Sequence, residues 1–161
     1  MSSLAEQVTL ELRKRGWKLA AAESCTGGML SATITDLPGS SDVFDRGFVT
    51  YSNQSKIDLL DVYQPILEGH GAVSEHTAQA MVGGVLKHSE AMIGVSVTGI
   101  AGPGGGSPEK PVGLVFIAVA IKGQPAQIFR HTFYGDRAAV RQQSVDSAFT
   151  HILEMIGPHH A

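Results

Sequence analysis

The feature that most constrains the fold is a loop rich in glycine and proline between two apolar segments. Residues 91–97 and 114–121 are short apolar runs with β-branched side chains, which predict two buried strands. Residues 98–112, between them, contain five glycines and three prolines. Glycine lets a backbone approach a ligand closely, and proline restricts the wandering of a loop. The segment therefore predicts a rigid cradle whose amides bind an anion, with phosphate as the usual guest.

Neither of the common glycine-rich nucleotide motifs accounts for this loop. Gly99 and Gly104 have the spacing of a Walker A start, but Gly105 and Gly106 occupy the positions that require Lys and Ser or Thr. The loop also leads to a strand, whereas the dinucleotide-binding motif opens a helix. A stiff connection between two strands, without any ligand, stays open as the alternative.

Composition limits the class of protein. The 161 residues suit a single domain spanning 1–161, and the net charge of -3 comes without a basic cluster, so no nucleic-acid partner is expected. Cys25 is the only cysteine, which excludes an internal disulfide and favours a reducing compartment. Because the first residues lack the apolar core of a signal peptide and no apolar run approaches membrane-spanning length, we expect neither a signal peptide nor a membrane span. We expect a cytoplasmic protein with no membrane partner.

Helical and strand patterns alternate along the chain. This order predicts an α/β fold, a three-layer α/β/α sandwich with a mixed, largely parallel sheet to which the late strands add an antiparallel portion. Predicted strands cover 17–22, 47–51, 91–97, 114–121 and 127–133. The predicted helices follow Ser2 or Ser3, Gly28, Ser52 or Asn53, Ser74 and Asp136, with breaks at Pro65, at 69–71 and at Gly157-Pro158.

Four segments carry a family resemblance. They are AESCTGG at 22–28, RGFVTYSN at 46–53, VTGIAGP at 97–103 with KPVG at 110–113, and GDR at 135–137. In this order they resemble the C-terminal domain of the competence/damage-inducible protein CinA, along essentially the whole chain. The resemblance implies a nicotinamide-nucleotide amidase, which converts nicotinamide mononucleotide and water into nicotinic acid mononucleotide and ammonia. It also implies a small-molecule substrate, no cofactor and a homo-oligomer, with a dimer favoured.

Hydrolysis of a carboxamide requires a nucleophile, a base and a proton for the departing ammonia. The histidines lack zinc-motif spacing and Cys25 stands alone, so no metal site is expected and a serine with a lysine base remains. Lys56 falls in the first turn of a predicted helix, where the helix dipole disfavours the ammonium form and lowers the pKa of the amine. A solvated surface lysine is the alternative.

Two serines are candidate nucleophiles. Ser41 follows Pro38-Gly39-Ser40 at the start of a predicted short helix, and Ser24 ends a predicted strand before a helix. Both could instead be N-caps, the commoner use of serine at such places. The resemblance favours Ser41 with Lys56 and leaves Ser24 and Tyr51 as supporting polar groups. Tyr51 would relay a proton or orient the lysine, or else merely cover the sheet edge.

Binding of a mononucleotide requires groups for its phosphate and ribose. Arg137 offers a bidentate fork for the phosphate, with a surface ion pair to Asp136 or Glu109 as the alternative. Cys25 is expected to be a buried packing residue. A nucleotide-binding module without turnover and an assembly domain are the competing functions. The predicted substrate-binding set is Thr26, Gly27, Thr98, Gly99, Gly102, Gly104, Gly105 and Arg137.

Overall fold

The computed structural model describes residues 2–157, which form one sheet between two layers of helices. Pro158, at the predicted end of the last helix, lies outside the described residues. In chain order the elements are α1 (Leu4–Arg15), β1 (Leu19–Glu23), α2 (Met29–Thr35), a 3-10 helix (Ser40–Asp42), β2 (Phe44–Val49), α3 (Asn53–Leu60), α4 (Gln64–His70), α5 (Glu75–Lys87), β3 (Ile93–Gly99), β4 (Leu114–Ile121), β5 (Gln127–Thr132) and α6 (Arg137–Ile156).

The sheet is mixed, as predicted. Its strand order in the described residues is β2-β1-β3-β4-β5. Strand β1 pairs in parallel with β2 and β3, while β4 pairs antiparallel with β3 and β5. Parallel and antiparallel pairings are thus equal in number, and the late strands supply the antiparallel part. The carboxyl ends of β1, β2 and β3 consequently meet at one edge of the sheet.

Alternating side chains of the central strands face the two helical layers. Leu19 and Ala21 of β1 belong to the core under α1, α2 and α6, whereas Ala20 and Ala22 pack against α3, α4 and α5. All four side chains are fully buried. A strand buried on both faces needs a continuous apolar run, which is what this segment of the sequence contains. The three-layer prediction is confirmed.

Most helix starts were predictable from their capping residues. The side chains of Ser3, Ser52, Ser74 and Asp136 each accept a hydrogen bond from an amide in the first turn of α1, α3, α5 and α6. The break expected at Pro65 is wrong, because helix α4 begins there. Proline is well tolerated in a first turn, where its missing N–H has no helical partner, and Pro65 lies there.

The predicted bounds of β4 are confirmed and those of β5 differ by one residue, whereas those of β1, β2 and β3 differ by one to three residues. Strand β2 ends at Val49, so Thr50 and Tyr51 belong to the connection to α3 rather than to the strand. This shift matters because that connection borders the candidate site.

None of the helices within residues 2–157 has the length and apolarity needed to cross a bilayer.

Candidate active site

A pocket of about 220 Å³ opens at the carboxyl ends of β1 and β3. It lies between the β1–α2 turn, the β2–α3 connection, the start of the glycine-rich loop and the first residue of α6. In open α/β sheets this edge is the usual location of ligand sites. The pocket is lined by Ser24, Cys25, Tyr51, Lys56, Ala72, Val73, Thr98, Gly99, Ala101 and Arg137.

Lys56 is fully buried, which is rare for a lysine. Its Nζ donates hydrogen bonds to the carbonyl oxygens of Thr50, at 2.7 Å, and Tyr51, at 3.3 Å. The Oγ of Ser24 lies 3.0 Å from the same nitrogen. The cap at Ser52 starts α3 directly after those carbonyls, so the fourth residue of the helix points back beneath them.

The surroundings of Lys56 favour its neutral form. Burial lowers the pKa of this amine to about 8, because the ammonium ion loses its hydration. Within residues 2–157, no carboxylate forms an ion pair with it. Its three hydrogen-bond partners are two peptide carbonyls and a hydroxyl, all of them uncharged. About a tenth of Lys56 is therefore a neutral amine at pH 7, far more than for an exposed lysine, and this neutral form is what a general base requires.

Ser24 is held at the end of β1. Its amide donates to the carbonyl of Val97 at 3.0 Å, which continues the pairing of β1 with β3 by one residue. The residue is 8% exposed, and its side chain lines the pocket. The structure thus joins two of the predicted catalytic residues, Ser24 and Lys56, by a direct contact.

The structure does not bring Ser41 to Lys56, which corrects the expected pairing. Ser41 is exposed in the 3-10 helix that precedes the amino end of β2, whereas the pocket lies beyond the carboxyl end of that strand. Ser41 does not line the pocket. The expectation rested on the family resemblance, but strand direction places Ser41 and Lys56 at opposite edges of the sheet.

Glu23 is a buried carboxylate that the sequence analysis missed. It is 0% exposed and accepts hydrogen bonds from the amides of Leu30 and Ser31 and from the Ser31 hydroxyl, at 2.7–2.9 Å. Gly28, at the N-cap of α2, provides no side-chain cap, so Glu23 caps this helix from the preceding strand. The Ser31 hydroxyl in turn lies against Gly47, where a Cβ would come within 2.3 Å of it. An acidic residue ending an apolar strand was the available signal.

Arg137 and Tyr51 border the mouth of the pocket. The Arg137 guanidinium donates to the carbonyl of Gly102 at 2.9 Å and to the Tyr51 hydroxyl at 3.1 Å. Within residues 2–157, Arg137 makes neither of the ion pairs considered as alternatives, and Asp136 instead caps α6. Tyr51 is 61% exposed. The arginine therefore bridges two walls of the pocket while remaining open to solvent.

The glycine-rich loop contributes to the pocket only where it leaves β3. The Thr98 hydroxyl donates to the carbonyl of Ala72 at 2.8 Å, and Gly99 passes so close to β4 that a Cβ would lie 2.6 Å from Val115. Gly102 contributes its carbonyl to the contact with Arg137. The predicted binding residues Gly104 and Gly105 are exposed and do not line the pocket.

Two further predicted residues lie in the β1–α2 turn rather than on the pocket wall. Thr26 is fully buried, and Gly27 has a φ of +57°, in the left-handed region that favours glycine. Cys25, between Ser24 and Thr26, packs into the core, and burial raises the pKa of its thiol to about 11. A thiol in this state is a poor nucleophile.

In the other pockets found within residues 2–157, no buried lysine lies beside a serine. Among residues 2–157, no three His, Cys, Asp or Glu side chains come together in a way that could hold a metal ion. Two larger surface pockets flank α1, of about 380 and 460 Å³, and neither is lined by a lysine. A third, of about 290 Å³, is lined by Lys110 and Ser74, but Lys110 donates to the carbonyl of His70 and Ser74 caps α5. The chemistry thus points to the smaller pocket.

Comparisons with known proteins identify the family of this chain. The family model of the CinA C-terminal domain matches residues 1–156. A protein named nicotinamide-nucleotide amidohydrolase PncC, from Enterobacter agglomerans, is 48% identical over 157 residues, which cover 97% of this chain and 96% of that protein. The protein of the same name from Escherichia coli K12 is 49% identical, over 89% and 87% of the two chains.

Longer proteins also match. A CinA-like protein of Syntrophobacter fumaroxidans is 49% identical over 145 residues, 90% of this chain but 34% of that protein, so the chain spans about a third of such relatives. Among solved structures, the competence/damage-inducible protein CihA of Agrobacterium tumefaciens superposes with a TM-score of 0.93 at 42% identity, over 96% of this chain and 94% of that one.

Proposed function

The chain belongs to the CinA C-terminal domain family, and from this membership and the pocket geometry we propose that it hydrolyses the carboxamide of nicotinamide mononucleotide. The products are nicotinic acid mononucleotide and ammonia. Relatives that match over nearly their whole length carry the name of this activity. The observation that carries the proposal is the 3.0 Å contact between the Ser24 hydroxyl and a buried lysine that forms no ion pair with any of residues 2–157.

The hydrogen bonds of Lys56 suit a base directed at Ser24. A neutral amine has two N–H groups and one lone pair. The carbonyls of Thr50 and Tyr51 can only accept, so they take the two N–H groups, and the lone pair is left for the Ser24 hydroxyl. Ser24, and not Ser41, is therefore the proposed nucleophile, with Lys56 as its general base.

The reaction then proceeds through an acyl-enzyme. The Ser24 oxygen bonds to the carboxamide carbon as its proton passes to Lys56, and the π electrons of the carbonyl move onto oxygen. When the carbonyl reforms, the C–N bond breaks and the Lys56 proton leaves with ammonia. A water molecule next attacks the ester while Lys56 takes its proton. Collapse of the second intermediate returns that proton to the Ser24 oxygen and releases the acid, which ionises.

The pocket is small for a whole mononucleotide. Its volume of about 220 Å³ lies below the roughly 300–1,000 Å³ of typical ligand pockets. We infer that it receives the pyridine carboxamide, with the ribose and phosphate over its mouth. Arg137, exposed at that mouth, is placed to bind the phosphate in bidentate fashion, and Tyr51 to orient Arg137 and the sugar.

The deciding experiment is to incubate the pure protein with nicotinamide mononucleotide and to measure both products. We expect ammonia and nicotinic acid mononucleotide in equal amounts, and neither from Lys56→Met, a matched control against a contaminating amidase. Calorimetric binding without turnover would instead support a nucleotide-binding module, and absence of both would support an assembly domain.

The proposed mechanism uses no metal ion. Turnover is expected to continue in excess EDTA, because Ser24 and Lys56 together supply the nucleophile and the base. Loss of activity with EDTA and its return with a divalent cation would contradict the serine–lysine mechanism.

A cytoplasmic location and a homodimer stay predictions, which cell fractionation and light scattering, respectively, would check.

A further inference from the structure

Arg141 occupies an unusual position for a cation, because its hydrogen bonds go to peptide carbonyls of the turn that follows Ser24. It lies on α6, one helical turn after Arg137. Its Nε donates to the carbonyl of Cys25 at 3.1 Å, and its Nη2 donates to that of Thr26 at 3.0 Å. Within residues 2–157 it forms no ion pair. The guanidinium is thus committed to the backbone of this turn.

These contacts complete the hydrogen bonding of three consecutive carbonyls. The carbonyl of Ser24 accepts from the Gly27 amide at 3.1 Å, and that of Thr26 accepts also from the Met29 amide at 3.0 Å. In a trans peptide the N–H points away from the preceding carbonyl. Each fixed carbonyl therefore fixes the direction of the next N–H, which points to the opposite side of the peptide.

Two amides of the turn donate to no oxygen atom within residues 2–157, and that of Cys25 lies against the sulfur of its own side chain. Within the described part of the chain, the N–H groups of Cys25 and Thr26 donate to no backbone or side-chain oxygen, unlike that of Gly27. They belong to the first and second residues after the nucleophile. In serine hydrolases whose nucleophile lies on a tight strand-to-helix turn, the amide directly after the nucleophile stabilises the oxyanion.

We propose that Arg141 is a positioning residue that holds the β1–α2 turn so that the amides of Cys25 and Thr26 bind the oxyanion. The inference rests on the proposed amidase function and deepens it. The bound anion is the former carbonyl oxygen of the carboxamide, which gains the electron pair when Ser24 attacks. Glu23 holds the far end of the same segment through α2, and Arg141 holds its middle.

The role differs from that of Arg137, although both arginines lie on one face of α6. Arg137 is exposed at the mouth and contacts Tyr51 and Gly102, while Arg141 is half-buried behind the turn. Loss of Arg137 is therefore expected to weaken substrate binding. Loss of Arg141 is expected to leave binding intact and to slow the chemical step.

The experiment compares Arg141→Met, Arg141→Lys and a control on the same helix, Gln142→Ala, which alters an exposed side chain. Loss of one oxyanion donor costs about 10²–10³ in kcat in other hydrolases. Because the amides remain and only their orientation relaxes, we expect Arg141→Met to lower kcat about 10- to 100-fold, with KM within twofold. Arg141→Lys keeps a charged hydrogen-bond donor but lacks the planar guanidinium that contacts two carbonyls at once, so it should keep more of the rate than Arg141→Met. Gln142→Ala should match the wild type.

A second readout separates oxyanion binding from general damage to the fold. 3-Pyridylboronic acid can form a tetrahedral adduct with Ser24 and so mimics the intermediate. Across the three variants, its inhibition constant should rise in proportion to the loss of kcat. Unchanged kcat in Arg141→Met, or a loss of kcat with unchanged boronate affinity in the folded Arg141→Lys, would overturn the inference. An inactive wild-type protein would overturn the proposed function itself.

Discussion

Ser24 and Ser41 lie in similar local sequences but at opposite edges of one sheet. Ser24 directly follows β1 and Ser41 lies in the 3-10 helix three residues before β2, and each has a glycine within three residues. The pairing of Leu19 with Phe44 and of Glu23 with Val49 shows that β1 and β2 run in the same direction, so the two serines lie beyond opposite ends of a strand roughly 16 Å long. Among residues 2–157, the buried amine of Lys56 lies at the Ser24 edge and not at the Ser41 edge. The difference teaches that the partner, and not the serine's own neighbourhood, gives a hydroxyl its chemistry.

The largest expected effect is a contrast between two alanine variants. Ser24→Ala removes the proposed nucleophile and should lower kcat by about 10³–10⁴ or more, as removal of a nucleophile does in other hydrolases. Ser41→Ala alters an exposed side chain and should leave kcat within twofold. Steady-state ammonia release measures both. The reverse pattern would assign catalysis to the Ser41 edge.

The pH profile sharpens the same contrast, since only Ser24 has a titrating partner. The proposed base is active as the neutral amine, and burial lowers the pKa of Lys56 to about 8. The value of kcat/KM should therefore rise about tenfold per pH unit below that pKa and level off above it. Ser41→Ala should show the same profile. A flat profile between pH 6 and 9 would argue against a lysine base.

Lys56 should also change how stability depends on pH. Its pKa is lowered from 10.5 to about 8 on folding, so the unfolded chain binds more protons between these values and folding becomes more favourable as pH rises through them. Relative to Lys56→Met, the wild type should gain about 2–3 kcal/mol in free energy of unfolding from pH 7.5 to 10.5. Urea unfolding of both proteins across this range gives the difference. A constant difference would mean that the amine is not perturbed.

A smaller effect should distinguish the turn after Ser24 from the turn before Ser41, since each contains a glycine in the left-handed region. Gly27 and Gly39 both have φ in the left-handed region, at +57° and +79°, and each lies beside an arginine. Alanine at either position should destabilise the protein by about 1 kcal/mol. Only Gly27→Ala, which disturbs the turn after Ser24, should also lower kcat, by about three- to tenfold. Thermal unfolding and kinetics of the two variants provide the test, and equal kcat values would separate the turn from catalysis.

Much of the fold could be predicted because its signals are local. Capping residues such as Ser52 and Ser74 marked helix starts, and the apolar run at 114–121 gave the bounds of β4. Helix α4 was missed because Pro65 can either break a helix or begin one. The bounds of β1, β2 and β3 differ from those predicted because hydrophobic periodicity and strand propensity do not indicate where the hydrogen-bonded pairing of strands stops.

The candidate site was less predictable, since its contacts join distant segments. Lys56 was identified from its position in a first turn, but the contact with Ser24 depends on the parallel neighbours β1 and β2. Glu23 lies in the segment AESCTGG but its role as a cap is not evident from it, Arg141 lies in none of the four segments, and their partners lie 7 and 116 residues away in the sequence. Only the folded chain places them beside the turn.

The contact between Ser31 and Gly47 links three positions that a mutational library would treat as separate. A methyl group at 47 collides with the hydroxyl that Glu23 holds, so Gly47→Ala should be tolerated far better once Ser31 is also alanine. Directed evolution that changes one codon at a time would encounter a barrier there. Changing codons 31 and 47 together avoids the destabilised single variant. Libraries that vary this contact should therefore randomise both positions at once.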